Sequence, residues 1–475
     1  MDFGQFILMR HELLLILAAV IVLIAELAVS ESSKARIIPF ALGLFALVTI
    51  AGFIPGETGT LFGGSYQSNE LTTMMKNVLN MGVLIIFLQS ESWLKKPENV
   101  DKASEYFVLT LATLVGMNYM ISAGDFLIFY VGLETATIPI AGLAAFDKLK
   151  SRSAEAGIKL ILSSALSSGI LLFGLSMIYG ATGSIYFADV LKNVSATPLI
   201  IMGFIFFVAG MGFKISLVPF HFWTADVYEG APIGVTSYLS VVSKGAAVFI
   251  FTIVLFTVFR PIMEQWQHLI YTLAVMTMTL ANLFALRQDN LKRFLAFSSI
   301  AQAGFILLGI LGANGMGMAS VVYFVLVYVF TNLGAFGVVA AVSAASGVET
   351  ISGYNGLYKT NPKLSLLMTL SLFSLAGIPP VAGFFGKFFL FTSAAGSGYF
   401  ILVLIAVLNA TISLYYYLRV VKAMFIDANE DPAPTFRSSN AMRLGLIMCL
   451  AGMFIIGFAS TIFDYLRNIS DVLFN

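Results

Sequence analysis

Apolar stretches of about 18 to 25 residues recur along nearly the whole chain, and they lack the polar alternation of a membrane β-strand. This feature constrains the fold more than any other. Lipid offers no water to satisfy backbone N–H and C=O groups, so only helices and closed barrels can span it. Unalternated runs of this length select helices. Composition agrees: 59% of the 475 residues are hydrophobic and only 11% are charged, against roughly 25% charged in a soluble domain. Too few charges are present to cover a water-soluble fold of this size. An ordinary cytosolic enzyme, a disordered chain and a secreted disulfide scaffold are therefore excluded.

The net charge of +1 provides no surface for a polyanion, so no nucleic-acid partner is expected. The single cysteine, Cys449, lies inside an apolar run and allows neither an internal disulfide nor a cysteine-ligated iron–sulfur cluster. His11, His221 and His268 are the three histidines, and no metal or haem site is expected from them. Arg10, the apolar stretch Leu13–Ile24 and Ala28-Val29-Ser30 superficially fit a signal peptide. That reading would put Lys34 and Arg36 outside, against the preference of basic residues for the cytoplasm, so a retained first span is expected.

Reading the apolar windows against polar breaks gives about fourteen spans, centred near Val20, Phe45, Leu79, Thr113, Ala136, Ser168, Phe207, Gly245, Met276, Ala303, Phe330, Ser374, Ala410 and Ala451. With both termini outside, the inner loops and flanks hold 15 of the 26 basic residues, among them Lys95, Lys96, Lys148, Lys150, Lys363, Arg437 and Arg443, and the outer side holds 4. The positive-inside rule supports that orientation. No soluble domain is inserted; the chain reads as one membrane domain, 1–475.

Seven basic residues fall in or near spans. Lys76, Arg419 and Lys422 lie near span ends, where they can snorkel to the interface. Lys159 lies about a turn inside its span. Lys214, Lys244 and Lys387 lie well within apolar spans, in Gly-Met-Gly-Phe-Lys-Ile-Ser, Val-Val-Ser-Lys-Gly-Ala-Ala and Gly-Phe-Phe-Gly-Lys-Phe-Phe. A charge at such depth costs at least about 2.5–3.5 kcal/mol, so it needs a partner and usually marks a function. Glu134, in Val-Gly-Leu-Glu-Thr-Ala, reads as the one carboxylate deep in its span and the natural partner of Lys214. In water a lysine holds its proton to a pH of about 10. Desolvation weakens that hold and an approaching carboxylate restores it. A buried Lys–Glu pair whose members approach and separate can therefore store and release a proton.

Two spans contain expected interruptions: Leu217-Val-Pro-Phe-His-Phe-Trp223, which begins three residues after Lys214, and Ala376-Gly-Ile-Pro-Pro380, seven residues before Lys387. Proline breaks the helical ladder, and broken helices at mid-membrane in two corresponding halves point to an ion path. The breaks fall in the seventh and twelfth spans. An offset of five spans reverses orientation, which implies an inverted repeat of spans 4–8 (105–258) and 9–13 (267–426), with three helices before it (1–104) and one helix and a tail after it (441–475). The chain is thus read as an all-α polytopic membrane protein. Thr331-Asn332-Leu333-Gly334 suggests a further irregular turn. His221, after the first break, is a candidate relay residue; Asp226 and Glu229 beside it are read as structural.

With these residues the chain resembles the antiporter-type membrane subunits of complex I, and among them the N subunits of bacterial NADH–quinone oxidoreductase, counterparts of mitochondrial subunit 2. The resemblance covers nearly the whole chain. It rests on Val131-Gly-Leu-Glu134, Leu217–Trp223, Asp226-Val-Tyr-Glu-Gly-Ala-Pro232, Ser243-Lys-Gly-Ala-Ala247, Leu291-Lys-Arg-Phe-Leu-Ala-Phe-Ser-Ser299 and Gly383-Phe-Phe-Gly-Lys387. The related L type carries a long lateral C-terminal helix, and the M type usually has Glu where Lys387 stands. One departure is Ala225, where the family often has Pro.

The resemblance implies that Glu134, Lys159, Lys214, Lys244 and Lys387, with His221 as a relay, carry protons, and that quinone reduction elsewhere in the complex drives them. It implies no cofactor on this chain, with NADH, FMN, iron–sulfur clusters and quinone in other subunits. It also implies other complex I membrane subunits and the lipid bilayer as partners, and a bacterial plasma (cell inner) membrane location. The alternatives from the residues alone are a subunit of a multi-subunit sodium/proton antiporter and a non-pumping structural subunit.

Overall fold

The computed structural model describes residues 3–429 and 433–472. The last three residues of the expected tail lie outside that range. Helices dominate, as the lipid argument requires. In chain order they are α1 (Arg10–Ala28), α2 (Ile37–Gly52), α3 (Glu70–Leu94), α4 (Ala103–Ile121), α5 (Phe126–Ala144), α6 (Ser151–Thr182), α7 (Phe187–Asn193), α8 (Pro198–Ile215), α9 (Phe222–Gly230), α10 (Ile233–Tyr238), α11 (Lys244–Thr257), α12 (Met263–Ala285), α13 (Leu291–Leu311), α14 (Gly315–Ser346), α15 (Leu357–Thr360), α16 (Pro362–Ala376), α17 (Ala382–Gly396), α18 (Phe400–Phe425), α19 (Asn440–Phe458) and α20 (Ser460–Asp471).

Among the described residues, twelve helical segments are long and apolar enough to cross a membrane. The expected span centre Thr113 lies in α4, and the broken pair α16 and α17 occupies the expected twelfth position. One small sheet departs from the all-helical expectation. Strands β1 (Gly59–Leu61) and β2 (Tyr66–Ser68) pair antiparallel in the loop after α2, with Thr60 opposite Gln67.

The chain divides into two compact units. The first comprises Met1–Leu84, Trp93–Lys214 and Ser243–Trp266. In it, α4 packs closely along α5. A Cβ on Gly116 would lie 2.4 Å from the Ala136 backbone nitrogen, and one on Gly132 would lie 2.6 Å from that of Met120. Small residues at such contacts let membrane helices approach and gain dispersion energy where no hydrophobic drive exists.

The second unit comprises Ile85–Ser92, Ile215–Val242 and Gln267–Asn475. Its centre is α13 and α14, which are almost entirely buried, with α16, α17, α19 and α20 packed on α14. Gln89 donates to the carbonyl of Leu333 at 3.0 Å and to Cys449 Sγ at 3.7 Å.

Both expected interruptions are present. α8 ends at Ile215 and α9 begins at Phe222, with Ser216 at φ 69°. α16 ends at Ala376 and α17 begins at Ala382. The irregular turn expected at Thr331–Gly334 is absent: α14 runs through it as helix. Thr331 and Asn332 direct their side chains into interhelical hydrogen bonds, with Ser374 Oγ at 2.8 Å and Ser240 Oγ at 2.7 Å. A polar pair inside an apolar run had suggested a loop, and buried partners removed the need for one.

A second correction concerns charge. Lys76 was expected to snorkel, and Glu134 to be the one deep carboxylate. Instead Lys76 and Glu12 are buried at 1% and 0% exposure and joined at 2.7 Å. Tyr66 donates to Glu12 Oε2 at 3.0 Å and accepts from Lys76 Nζ at 2.9 Å.

Candidate functional site

Three lysines expected to be deep are buried: Lys214 at 9% exposure, Lys244 at 3% and Lys387 at 5%. Each stands at or beside an interruption of its helix. Lys214 is the penultimate residue of α8, and Lys244 opens α11 directly after a π-helical turn, Leu239–Ser243. Lys387 lies one turn into α17, after the second break. π turns inside α-helices cluster at functional sites. This one carries no proline or glycine to announce it.

In the first unit, Lys214 Nζ donates to Thr137 Oγ1 at 2.6 Å. Thr137 lies three residues after Glu134 on α5, so the two share a helix face. Glu134 is within electrostatic reach of the ammonium, yet among the described residues Lys214 bonds the threonine and not the carboxylate. Glu134 Oε1 is buried without a hydrogen-bond partner in this structure. Sequence reasoning paired Lys214 with Glu134 and missed Thr137.

It also missed a stripe of serines on α6. Ser164, Ser167 and Ser168 line a cavity of about 10 Å3 together with Thr137 and Lys214, roughly the space one water needs. Ser-Ser repeated at a four-residue spacing was the available signal.

Lys159, on the same helix, is placed differently from the other lysines. It is 41% exposed and pairs with Glu155 at 2.7 Å one turn earlier. That contact accounts for its place on an otherwise apolar face without any deep burial.

In the second unit, His221 follows the first break, buried at 5% exposure. Its ring lies 4.6 Å from that of Phe222 and 6.5 Å from that of Phe284. Its Nδ1 has no hydrogen-bond partner among the described residues. Arg293 Nη1 donates to both Asp226 at 2.6 Å and Glu229 at 3.1 Å, so the acidic pair after the break is tied down by one guanidinium.

Lys387 Nζ donates to the Ala376 carbonyl at 2.9 Å and lies 4.5 Å over the ring of Phe305. Ala376 is the last residue of α16, where carbonyls lack intrahelical partners and the helix dipole is negative. The break thus makes the cation's seat. Gly377 is needed there twice. Its φ is +90°, and a Cβ on it would lie 2.9 Å from Lys387 Cδ.

A buried polar chain leads to that seat. Ser240 bonds Ser299 and Tyr328, each at 3.2 Å, and accepts from Asn332 at 2.7 Å. Ser298, the neighbour of Ser299, bonds Tyr417 at 2.5 Å. Gln302, one turn further along α13, donates to Tyr417 at 3.3 Å and to the Leu375 carbonyl at 3.0 Å. The next carbonyl, Ala376, holds Lys387. Ser240 lies four residues before Lys244 in the chain. Ser298, Ser299 and Gln302 share a helical spacing in the sequence, but their partners Tyr417, Ser240 and the Leu375 carbonyl come from other segments, so the chain they form could not be read there.

Among the described residues no cluster of three or more His, Cys, Asp or Glu could hold a metal ion. The site consists of buried ammonium groups, hydroxyls, an amide and helix-end carbonyls. Such an arrangement can hold and relay protons.

The family model of the transmembrane proteins of NADH:quinone oxidoreductase and Mrp antiporters matches residues 123–413, which include all six expected site residues. The chain is 49% identical to NADH-quinone oxidoreductase subunit N of Phocaeicola vulgatus, over 98% of this chain and 99% of that one. Among solved structures, a chain of respiratory complex I from Thermus thermophilus superposes with a TM-score of 0.81 at 26% identity, covering 96% of this chain and 99% of its own length. A chain of the Mrp complex from Dietzia has the same fold, with a TM-score of 0.87 at 19% identity, covering 99% of this chain and 97% of its own. The chain belongs to the family of NADH-quinone oxidoreductase N subunits, within the wider group of complex I and Mrp antiporter membrane proteins.

Proposed function

We propose that the chain is a proton-translocating membrane subunit of a respiratory NADH–quinone oxidoreductase, with the redox cofactors carried by other subunits. Its own part is proton transfer through Glu134, Lys214, Lys244 and Lys387, with His221 as a relay beside the first break. The observation that carries this reading is the burial of three lysines, each at a helix interruption. Packing alone does not call for buried ammonium groups, and their cost in lipid is high. Lys159 belongs to the set through the resemblance alone; it sits at the exposed end, paired with Glu155.

In this reading Glu134 biases the Lys214 ammonium, and Thr137 gives it a second position. Lys244 opens α11, four residues after Ser240 of the polar chain. Gln302 and the Leu375 and Ala376 carbonyls connect that chain to Lys387. The two breaks suit an inverted repeat over 105–258 and 267–426.

Other membrane subunits are the expected neighbours. Leu127, Val131 and Ile138 are exposed on α5, and Glu134 continues their face. A half-buried carboxylate bordering such a face suits a protein neighbour better than hydrocarbon. The inner membrane of a bacterium, with both termini outside, fits the distribution of basic residues.

The test is proton uptake and quinone reduction in inverted membrane vesicles carrying Lys214→Ala or Glu134→Ala. Lys214→Ala is expected to lower both by about tenfold or more, the scale of losing a positioned proton-transfer group. If both variants assemble and retain full quinone reduction and proton pumping, the proposal fails. A flavin-free assembly that exchanges sodium would instead favour the antiporter alternative.

Gln302→Leu probes the connecting chain. It is expected to reduce protons moved per NADH oxidised while assembly, read by native electrophoresis, stays normal. Unchanged stoichiometry would remove Gln302 from the path.

A further inference from the structure

We infer that a cavity between α16 and α19 binds an anionic diacyl phospholipid. The cavity has a volume of about 850 Å3, within the range of small-molecule sites. Lys363, Arg437 and Arg443 line it. Three cations gathered at one cavity are a local excess in a chain whose net charge is +1. Among the described residues, no carboxylate pairs with them.

Below the cations the lining changes character. Leu366 and Leu370 follow Lys363 along α16, and Leu446 and Leu450 follow Arg443 along α19. On both helices the wall therefore runs from charged to apolar over successive turns. A soluble phosphate would use only the charged mouth. A lipid uses both parts, with its phosphodiester among the cations and its acyl chains along the leucines. Basic pockets between membrane helices recognise anionic head groups in this way.

The mouth is built rather than loose. Asn361 donates from Nδ2 to the Pro434 carbonyl at 3.0 Å and accepts from the Phe436 backbone N–H at 3.4 Å. This holds the segment that carries Arg437 against the start of α16. The apolar side opens outward, with Leu366 49% and Ile447 60% exposed, as lateral entry from a bilayer requires. None of these residues belongs to the proton path proposed above, so the two readings stand or fall separately.

The experiment uses the intact complex containing this chain, stripped of lipid in detergent and then offered dioleoyl phosphatidylglycerol or dioleoyl phosphatidylcholine. Native mass spectrometry counts the lipid retained. The complex is expected to retain phosphatidylglycerol with at least about tenfold preference. The triple variant Lys363→Gln, Arg437→Gln, Arg443→Gln is expected to lose that preference and to bind one phosphatidylglycerol fewer. Leu450→Trp, which fills the apolar part without touching the charges, is expected to lose the same lipid and serves if the triple variant fails to assemble.

Three outcomes would overturn the inference. They are equal retention of the two lipids, displacement of phosphatidylglycerol by glycerol phosphate alone, and undiminished retention in both the triple variant and Leu450→Trp. The first would mean an unselective apolar groove or one covered by a neighbouring subunit, and the second a soluble-anion site.

Discussion

Lys76→Met is expected to destabilise the first compact unit by about 3–5 kcal/mol, the cost of leaving one member of a buried ion pair uncompensated. The Glu12 carboxylate would remain at 0% exposure with only the Tyr66 hydroxyl donating to it. Glu12→Gln with Lys76 retained should cost a similar amount, because the ammonium then lacks its counter-charge. The double variant Glu12→Gln, Lys76→Met removes both charges and should recover most of the loss, since desolvating an ion pair offsets much of its attraction. Thermal unfolding of the detergent-solubilised protein, followed by near-ultraviolet circular dichroism, reads all three. Additive losses, with the double variant costing the sum of the two singles, would show that the two residues contribute nothing as a pair. The pair is closed by Tyr66 within the cluster, so its variants are expected to affect assembly before transport.

The second large effect is expected at Lys387. Lys387→Met should lower proton translocation by about tenfold at least, and also leave the Ala376 carbonyl without its donor, at about 1–3 kcal/mol. Lys387→Met cannot separate these two losses, but Lys387→Arg can. A guanidinium can still donate to the helix-end carbonyl, but it does not give up its proton in a protein. The Arg variant is therefore expected to assemble like the parent and yet fail to move protons. Vesicle acidification alongside quinone reduction measures this. Wild-type pumping in Lys387→Arg would rule out a role for that nitrogen as a proton store, while loss of assembly would assign the residue to the architecture of the break.

The parts of the fold that depend on one segment at a time were legible in the sequence. The two breaks could be read because proline and glycine act locally, at Pro219 and at Gly377-Ile378-Pro379-Pro380. The burial of Lys214, Lys244 and Lys387 could be read because each lies in an unbroken apolar context. Features that depend on two segments could not be read. Glu12 and Lys76 come from different helices, and nothing near either one announces the other. Lys76 therefore looked like an interfacial lysine. Asn332 looked like a turn residue because its partner, Ser240, is 92 positions away.

The π turn before Lys244 had no composition signal, since Leu-Ser-Val-Val-Ser suits an ordinary helix. Lys159 is the reverse case. Glu155 stands four residues before it, the spacing of a surface ion pair on a helix, and depth in the span drew attention away from that simpler partner.

The seat of Lys387 has a consequence for how the interior is filled. Among the described residues its partners are a carbonyl dipole and the quadrupole of an aromatic face, neither carrying a full negative charge. Every proton that arrives there adds an unneutralised unit of charge to a medium that screens poorly. A seat of this kind behaves like one plate of a capacitor: loading it raises the potential felt by any other cation nearby and makes simultaneous occupancy unfavourable. Traffic along such a row of sites is expected to proceed by alternation, with one position emptying as the next fills.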